Sequence, residues 1–264
     1  MIKYLRAYSI SLQETLQRRS TLIMDRVGGL AVVIGLYSFW TALLGDKTEF
    51  LGYTRAEMLT YVLLINVLRA FVFTGRGWML VGEISSGRIS SYLVRPISYQ
   101  GYALSLDLAQ KTVHIVSALL EVGILAAVMR GGLFIPRDAA TWLLFAAAAS
   151  LSSLLFFFME FMVSSLAFWT SESGGPLFCF ELFLAFAAGA FFPLDVLPAG
   201  LRRALDLTPF PYMVYVPARI FLGKVPHAEA ARLIAVEAAW LAAFTAAASS
   251  VWRAGLRSYA AEGG

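Results

Sequence analysis

Six ionisable side chains lie within runs of apolar residues, and they are the residues of this sequence best suited to chemistry. They are Arg69, His114, Glu121, Glu160, Glu181 and Glu237. Burying a charge in such a run is costly, so residues of this kind commonly form ion pairs, carry protons or bind charged cargo. The alternative for each of them is a paired or protonated side chain that serves packing alone.

The positions of these charges predict which of them meet. Arg69 and Glu181 each lie five residues from one end of their runs, a depth of about 8 Å that favours an ion pair, with Glu160 as the other candidate partner for Arg69. Glu121 follows His114 by seven residues and therefore shares a helix face with it. If Arg69 neutralises one acid, the interior is acidic on balance, which favours a cationic, zwitterionic or amphiphilic small molecule as cargo.

Motifs of known enzyme classes are missing from the chain. It contains no G-x-x-x-x-G-K-[ST] loop, no H-E-x-x-H and no G-x-S-x-G, and its two histidines, His114 and His227, are far apart. The single cysteine, Cys179, excludes an intrachain disulfide and is expected to be a small buried apolar residue. We therefore expect no catalytic, metal or cofactor site in this chain.

The composition is typical of a membrane protein, because 59% of the 264 residues are hydrophobic and 14% are charged. A bilayer core needs roughly 20 apolar residues per helix. Six runs of about this length, without the alternation of barrel strands, predict an all-α polytopic fold with six transmembrane helices. The predicted spans are residues 27–44, 57–74, 112–129, 140–169, 176–193 and 229–252.

Residues 1–21 predict a helix that lies in the membrane interface, because Leu5, Tyr8, Leu12 and Leu16 fall on one face. No cleavable signal peptide is indicated. The basic residues ahead of the first span favour an N-terminus in the cytoplasm, and six spans return the C-terminus to that side. The net charge of +4 suits anionic lipid heads and does not indicate a nucleic-acid partner.

The connection after the second predicted span, residues 75–111, is long enough to have structure of its own. We predict a short helix over residues 84–94 that ends before a proline, where helical backbone is disfavoured. Ile89, Tyr92 and Leu93 cluster on one side of it, as in exposed helices that dock on a soluble partner. The alternative is a solvated turn whose arginines face lipid phosphates.

This connection carries the pattern E-I-x-S-G-x-I-x-x-Y-L-x-R-P. The pattern resembles the cytoplasmic loop of type-2 ATP-binding-cassette exporter permeases. More narrowly, it resembles the branch in which two related six-helix permeases, some of them viologen or drug exporters, work with one ATPase type. The resemblance implies that this loop transmits the movement of the ATPase to the permease. The implied coupling residues are Glu83, Ile84, Gly87, Arg88, Ile89, Tyr92, Leu93, Arg95 and Pro96.

Residues 190–224, the proline-marked segment, are largely apolar yet repeatedly interrupted by proline. Prolines forbid one continuous helix, so we predict two half-inserted helices, at residues 196–207 and 212–222, in a re-entrant segment at 194–228. The segment is similar to the outer segment of the same family, where such helices cap the exit. An ordinary outer loop with interfacial aromatics is the alternative. The implied outer-gate residues are Phe192, Pro193, Pro198, Pro209, Phe210 and Pro217.

The resemblance covers nearly the whole chain and implies one transmembrane permease domain over residues 1–264, in the inner (plasma) membrane. It implies that a separate cytoplasmic ATPase dimer binds ATP and Mg²⁺, so that this chain binds no cofactor. It also implies a second permease, identical or related. Ala185 and Gly189, four residues apart, suit a close helix contact in that dimer, and ordinary packing explains them equally.

Two other classes of function are compatible with the same residues but less favoured. An ion-coupled secondary transporter would use Glu121 and Glu160 as proton carriers, but internal repeats usual in that class are not detectable in the sequence. A membrane-embedded enzyme is disfavoured by the missing motifs.

Overall fold

Helices make up nearly all of the regular structure in the computed structural model, which describes residues 2–45, 49–50, 52–128, 132–170 and 174–262. Five helical stretches among these residues are long and apolar enough to cross a membrane, by length and composition. They are Leu22–Leu44, Arg55–Ser85, Tyr99–Ala127, Ala139–Phe168 and His227–Tyr259. The chain is therefore all-α and polytopic, as predicted.

The elements are numbered in chain order. The helices are α1 (Ile2–Gln17), α2 (Arg19–Leu44), α3 (Arg55–Val72), α4 (Gly77–Ser85), α5 (Ser90–Leu93), α6 (Tyr99–Val128), α7 (Ala139–Ser164), α8 (Gly174–Ala187), α9 (Ala199–Asp206), α10 (Tyr215–Phe221) and α11 (His227–Glu262). Short 3-10 turns occupy Ser165–Phe168, Leu194–Val196 and Phe210–Met213. The two-residue strands β1 (Glu49–Phe50) and β2 (Tyr53–Thr54) pair antiparallel ahead of α3.

Five of the six predicted spans coincide with long helices, namely α2, α3, α6, α7 and α11. The last residue of the predicted third span, Met129, lies outside the described residues. The predicted span at residues 176–193 is instead the 14-residue α8, which is shorter than the roughly 20 residues needed to cross a bilayer. α8 ends at Ala187, and two residues later Gly189 has a left-handed backbone with φ of 78°.

α6 begins at Tyr99, so about the last third of the connection predicted at residues 75–111 is helical. This stretch contains two charged residues, Asp107 and Lys111, which form an ion pair of 2.9 Å one helical turn apart. Both side chains are almost fully buried, and Lys111 Nζ also donates to the carbonyl of Ser153 in α7 at 3.1 Å. Because the two charges neutralise each other, α6 continues through them.

The core is built around α3, in which thirteen of 18 residues are buried. α7 packs along α11, and at one end of this pair the rings of Tyr99 and Trp252 stack with 4.9 Å between centroids. Gly255 lets α11 come close to the same aromatic cluster, since a Cβ there would lie 2.2 Å from Phe168 Cδ2. The close approach fixes the C-terminal part of α11 against the 3-10 turn after α7.

α1 packs on α6 through polar side chains. Tyr8 Oη lies 2.9 Å from Thr112 Oγ1, and Ser11 is buried. Leu5 and Leu16 are more than half exposed, at 60% and 52%, so they face away from the rest of the chain. Residues 2–17 are thus helical, and the location of this helix in the membrane interface stays a prediction.

We expect Lys111→Met to destabilise the fold, because it leaves the Asp107 carboxylate buried without a counter-charge. Breaking a buried ion pair in this way costs about 3–5 kcal/mol. The double variant Asp107→Leu, Lys111→Met removes both charges and should recover most of that loss. Thermal unfolding of the purified protein in detergent measures both effects, and a wild-type melting temperature for Lys111→Met would contradict the structural role of the pair.

Candidate functional site

Acidic and basic side chains from several helices surround a cavity of about 550 Å³, here called the polar cavity. α2 and α3 form two of its walls, and residues of α6, α7, α8 and the start of α4 complete it. The α3 wall includes Ile65, Asn66, Arg69 and Phe73, which share one face at helical spacing. A cavity of this size is typical of small-molecule sites.

Four of the five predicted path residues line the polar cavity: Arg69, His114, Glu160 and Glu181. The structure therefore brings together charges from α3, α6, α7 and α8 that are far apart in the sequence. The fifth, Glu121, is bonded to residues of the cavity wall.

Arg26 connects His114 and Glu121, the two residues predicted to share a face of α6. Its Nη2 lies 3.0 Å from His114 Nδ1, and its Nε lies 3.8 Å from Glu121 Oε1. Asn66 donates to the other oxygen of Glu121 at 3.0 Å. Because arginine can only donate, His114 accepts through Nδ1. Sequence reasoning missed Arg26 because it lies one residue ahead of the predicted first span.

The predicted ion pair of Arg69 is wrong. Within the described part of the chain Arg69 has no carboxylate within ion-pair distance, and its buried Nη1 has no hydrogen-bond partner. Its guanidinium lies 5.9 Å from the ring centroid of Phe191. Glu181 instead accepts the indole N–H of Trp78 at 2.9 Å. Arg69 therefore presents an uncompensated charge to the polar cavity.

Glu160 reaches from α7 to the backbone ahead of α4. Its carboxylate accepts the N–H of Arg76 at 3.1 Å, and the side chain is only 4% exposed. Gly75 and Gly77 make room for it, since a Cβ on Gly75 would lie 2.1 Å from Glu160 Oε2 and one on Gly77 would lie 2.7 Å from Glu160 Cγ. The sequence signal for this contact is the G-x-G at residues 75–77, where α4 begins. Nothing in that pattern points to an acid in another helix.

Residues 75–98, the α4–α5 segment, are held by three other helices besides α7. The Glu83 carboxylate accepts the hydroxyl of Tyr99 in α6. Tyr259 in α11 lies 2.8 Å from Ser90 Oγ, and Tyr4 in α1 accepts the backbone N–H of Ser98 at 3.1 Å. The segment is therefore anchored to the N-terminal and the C-terminal helix.

The continuous helix predicted at residues 84–94 is wrong. α4 ends at Ser85, Gly87 has a left-handed backbone with φ of 71°, and a single turn, α5, follows. Ile89 is fully buried with Ile84, so it belongs to the core and not to a docking face.

The exposed part of the predicted coupling residues is smaller than expected. Leu93 is 42% exposed, and Val94, which was not predicted, is 85% exposed. Tyr92 is partly buried, and the guanidinium of Arg95 lies 5.1 Å from its ring centroid. Arg88 is exposed and bonded to Ser86 at 3.0 Å, and Pro96 is exposed.

The proline-marked segment forms two unequal arms. The first, with α9, has no buried residue in that helix, whereas all but one of the residues of α10 are buried. The predicted helices at 196–207 and 212–222 are thus shorter, and each is preceded by a 3-10 turn. Of the predicted gate residues, Pro193, Pro209 and Pro217 are buried, Phe192 and Phe210 are partly buried, and Pro198 is exposed.

A polar contact holds this segment to the strand β2. Asp195 accepts the hydroxyl of Tyr53 at 2.7 Å and pairs with Arg202 at 2.7 Å. Burial, reinforced by Asp195, raises the pKa of Tyr53 well above its usual range, so this hydroxyl remains a donor.

Fully buried Glu237 in α11 lies 2.8 Å from Ser152 Oγ, away from the polar cavity, and so serves packing between α7 and α11.

Gly189 is engaged within its own chain, which argues against its predicted dimer contact. It is buried, its carbonyl accepts the hydroxyl of Tyr61 at 2.8 Å, and a Cβ there would lie 3.2 Å from Tyr215 Cβ. Ala185 is partly buried.

The prediction that Cys179 is buried is wrong, because it lies on the exposed side of α8.

Residues 30–263 match the family model described as ABC-2 family transporter protein. The chain belongs to the ABC-2 transporter family. No curated protein and no solved structure matches it. ABC-2 permeases are membrane transport components that work with a cytoplasmic ABC ATPase and are not themselves the ATPase. The predicted membership of the ABC-2 family is thereby confirmed, and the chain is a multi-pass membrane protein.

Membership of this family is a reason to consider the polar cavity and the α4–α5 segment together. Such a permease needs a path for cargo and a contact with its ATPase. In this chain the wall of the polar cavity and the start of α4 share two acidic side chains, Glu160 and Glu181, which bond to Arg76 and Trp78.

We expect Gly77→Ala to destabilise the permease by about 1–3 kcal/mol, because its Cβ displaces the buried Glu160 from the Arg76 N–H. Gly82→Ala in the same helix is the matched control, since a Cβ there meets nothing within 4 Å. It should be neutral or slightly stabilising, as alanine favours helix. Melting temperatures in detergent compare the two, and equal losses would contradict the packing role of Gly77.

Proposed function

We propose that this chain is the transmembrane permease subunit of an ABC exporter, with the polar cavity as its transport path. A separate cytoplasmic ATPase dimer binds ATP and Mg²⁺ and drives the chain, which binds no cofactor, through the α4–α5 segment. One observation carries this proposal: Glu160, which lines the cavity, is bonded to the backbone at the start of α4. A movement of α4 therefore reaches the cavity wall directly.

The proposed topology has six spans, with both termini in the cytoplasm and α8 as part of the fifth. The contacts of Tyr4 and Tyr259 with the α4–α5 segment support it, because they put this segment beside both ends of the chain. The basic residues ahead of α2 favour the cytoplasm for that side. The location is the inner (plasma) membrane, and the proline-marked segment would then lie at the outer surface as the gate.

The ATPase contact is assigned to the exposed tip of the α4–α5 segment. Leu93 and Val94 are its exposed apolar side chains, and Arg88 and Arg95 are exposed beside them. Apolar anchors surrounded by charge are typical of docking sites on soluble partners. The buried Ile84 and Ile89 hold this tip on the core, so a push on it is passed on and not absorbed.

A second permease, identical or related, completes the proposed path. α8 presents an apolar face for it, since four of its large side chains are about half exposed. They are Phe178, Leu182, Phe183 and Phe186. This face, with Ala185 at its edge, replaces Gly189 as the proposed dimer contact.

Leu93→Asp together with Val94→Asp should abolish co-purification of the permease with its ATPase while leaving the melting temperature of the permease unchanged. A charge on an exposed residue costs little folding energy but is not tolerated in an apolar contact. Leu207→Asp is the control, because Leu207 is 81% exposed in the proline-marked segment. Wild-type amounts of ATPase bound to the double variant would refute the assigned contact.

Transport by permease and ATPase reconstituted in proteoliposomes should stop with vanadate and continue with a protonophore. The measurement is ATP-dependent uptake of a fluorescent amphiphilic dye into these proteoliposomes. The opposite result, sensitivity to the protonophore alone, would favour the ion-coupled rival. That rival is poorly supported by its proposed proton carriers, since Glu121 is paired with Arg26 and Glu160 is bonded to backbone.

A further inference from the structure

Arg69 differs from the other basic side chains of the polar cavity. Arg26 faces Glu121 at 3.8 Å and bonds His114, whereas the Nη1 of Arg69 is buried without a partner. Arginine keeps its charge when buried, and a buried unpaired charge is unfavourable. The structure thus holds a guanidinium at the cavity wall whose counter-charge is not supplied by the described residues.

The Arg69 guanidinium also contacts an aromatic ring. Its carbon lies 5.9 Å from the ring centroid of Phe191, which offers no oxygen acceptor to the N–H groups and no counter-charge. The edge of a guanidinium matches a carboxylate or phosphate with two parallel hydrogen bonds. The ligand group that suits Arg69 is therefore an anion of this shape.

Glu181 supplies the opposite charge in the same cavity. Within the described residues its carboxylate accepts one hydrogen bond, from the neutral indole N–H of Trp78, which leaves its negative charge uncompensated. Two other carboxylates line the cavity. Glu160 is engaged by the Arg76 N–H and enclosed by two glycines, and Asp25 lies on the exposed side of α2. Glu181 is therefore the better partner for a cationic ligand group.

We infer that the polar cavity binds a zwitterionic group, with its carboxylate or phosphate at Arg69 and its ammonium at Glu181. A purely cationic ligand would leave Arg69 unpaired beside a like charge, and a purely anionic one would meet Glu181. Apolar residues of the wall, Val33, Leu36 and Ile65, suit a short hydrocarbon tail. The ligand is thus a zwitterionic amphiphile, and its status as cargo rests on the proposed function.

Three probes with the same six-carbon tail test this: hexylphosphocholine, hexyltrimethylammonium and hexyl phosphate. Isothermal titration uses the full-length permease in phosphatidylglycerol nanodiscs, which contain no zwitterionic lipid, with empty nanodiscs as the blank. Hexylphosphocholine should bind at least tenfold more tightly than either singly charged probe. Equal affinity for hexylphosphocholine and hexyltrimethylammonium would overturn the inference.

Single substitutions separate the two charges. Arg69→Gln should weaken hexylphosphocholine and hexyl phosphate at least tenfold and spare hexyltrimethylammonium, whereas Glu181→Gln should weaken the two cationic probes and spare hexyl phosphate. Glutamine at 181 can still accept the Trp78 N–H, and Arg253→Gln, at an exposed position of α11, is the control. Unchanged affinities in folded Arg69→Gln would show that Arg69 is structural. If that variant does not fold, Arg69→Lys, which keeps the charge, must retain binding of hexyl phosphate.

Native mass spectrometry distinguishes a lipid from a soluble ligand. Phosphatidylethanolamine retained by the wild type but not by Arg69→Gln would identify a lipid headgroup as the bound zwitterion. A wild type that retains no such lipid yet binds hexylphosphocholine would identify a soluble one. These measurements need no ATPase, so failure of ATPase co-purification would reject the proposed function and leave the binding site intact.

Discussion

The Glu160 carboxylate extends from α7 between Gly75 and Gly77 and accepts the Arg76 N–H at 3.1 Å. A buried carboxylate without such a donor is strongly unfavourable, so this contact constrains α7 and the backbone that joins α3 to α4. Any side chain on either glycine would occupy the same space. This hydrogen bond and the two missing Cβ atoms therefore help to fix the start of α4 against the cavity wall.

Other buried charges are stabilised by an opposite charge. Asp107 and Lys111 neutralise each other within one helix, and Arg26 faces Glu121 between two helices. Each solution removes a charge from the apolar interior, as burial requires. Arg69 lies outside this pattern, because no carboxylate is brought to it among the described residues. Glu181 also lacks a counter-charge among the described residues, so the polar cavity contains two uncompensated charges of opposite sign.

Long apolar runs were sufficient to predict where five helices lie, because their length and composition allow few alternatives. The first part of α6 lies outside the predicted span because it contains Asp107 and Lys111, whose charges neutralise each other only in the folded helix. The ionisable side chains within apolar runs predicted most of the charged residues that line the polar cavity, but not the partners to which they are bonded. Arg26 and Glu121 lie on different helices, and spacing along one helix carries no information about a contact between two. Ile89 was assigned to an exposed face because the turn at Gly87 was not anticipated.

The contacts of α4 connect the proposed ATPase contact with the proposed ligand site in the polar cavity. Trp78 in the first turn of α4 holds Glu181, while Arg69 belongs to α3 on the cavity wall. On the proposed function, a shift of α4 that carried Trp78 and the Glu181 side chain with it would change the separation between these two opposite charges, and with it the fit of the proposed zwitterion. Because coupling between two binding events is reciprocal, a ligand that fixes this separation must also favour one position of α4. On the proposed function, cargo and ATPase then act on the same few contacts from opposite sides.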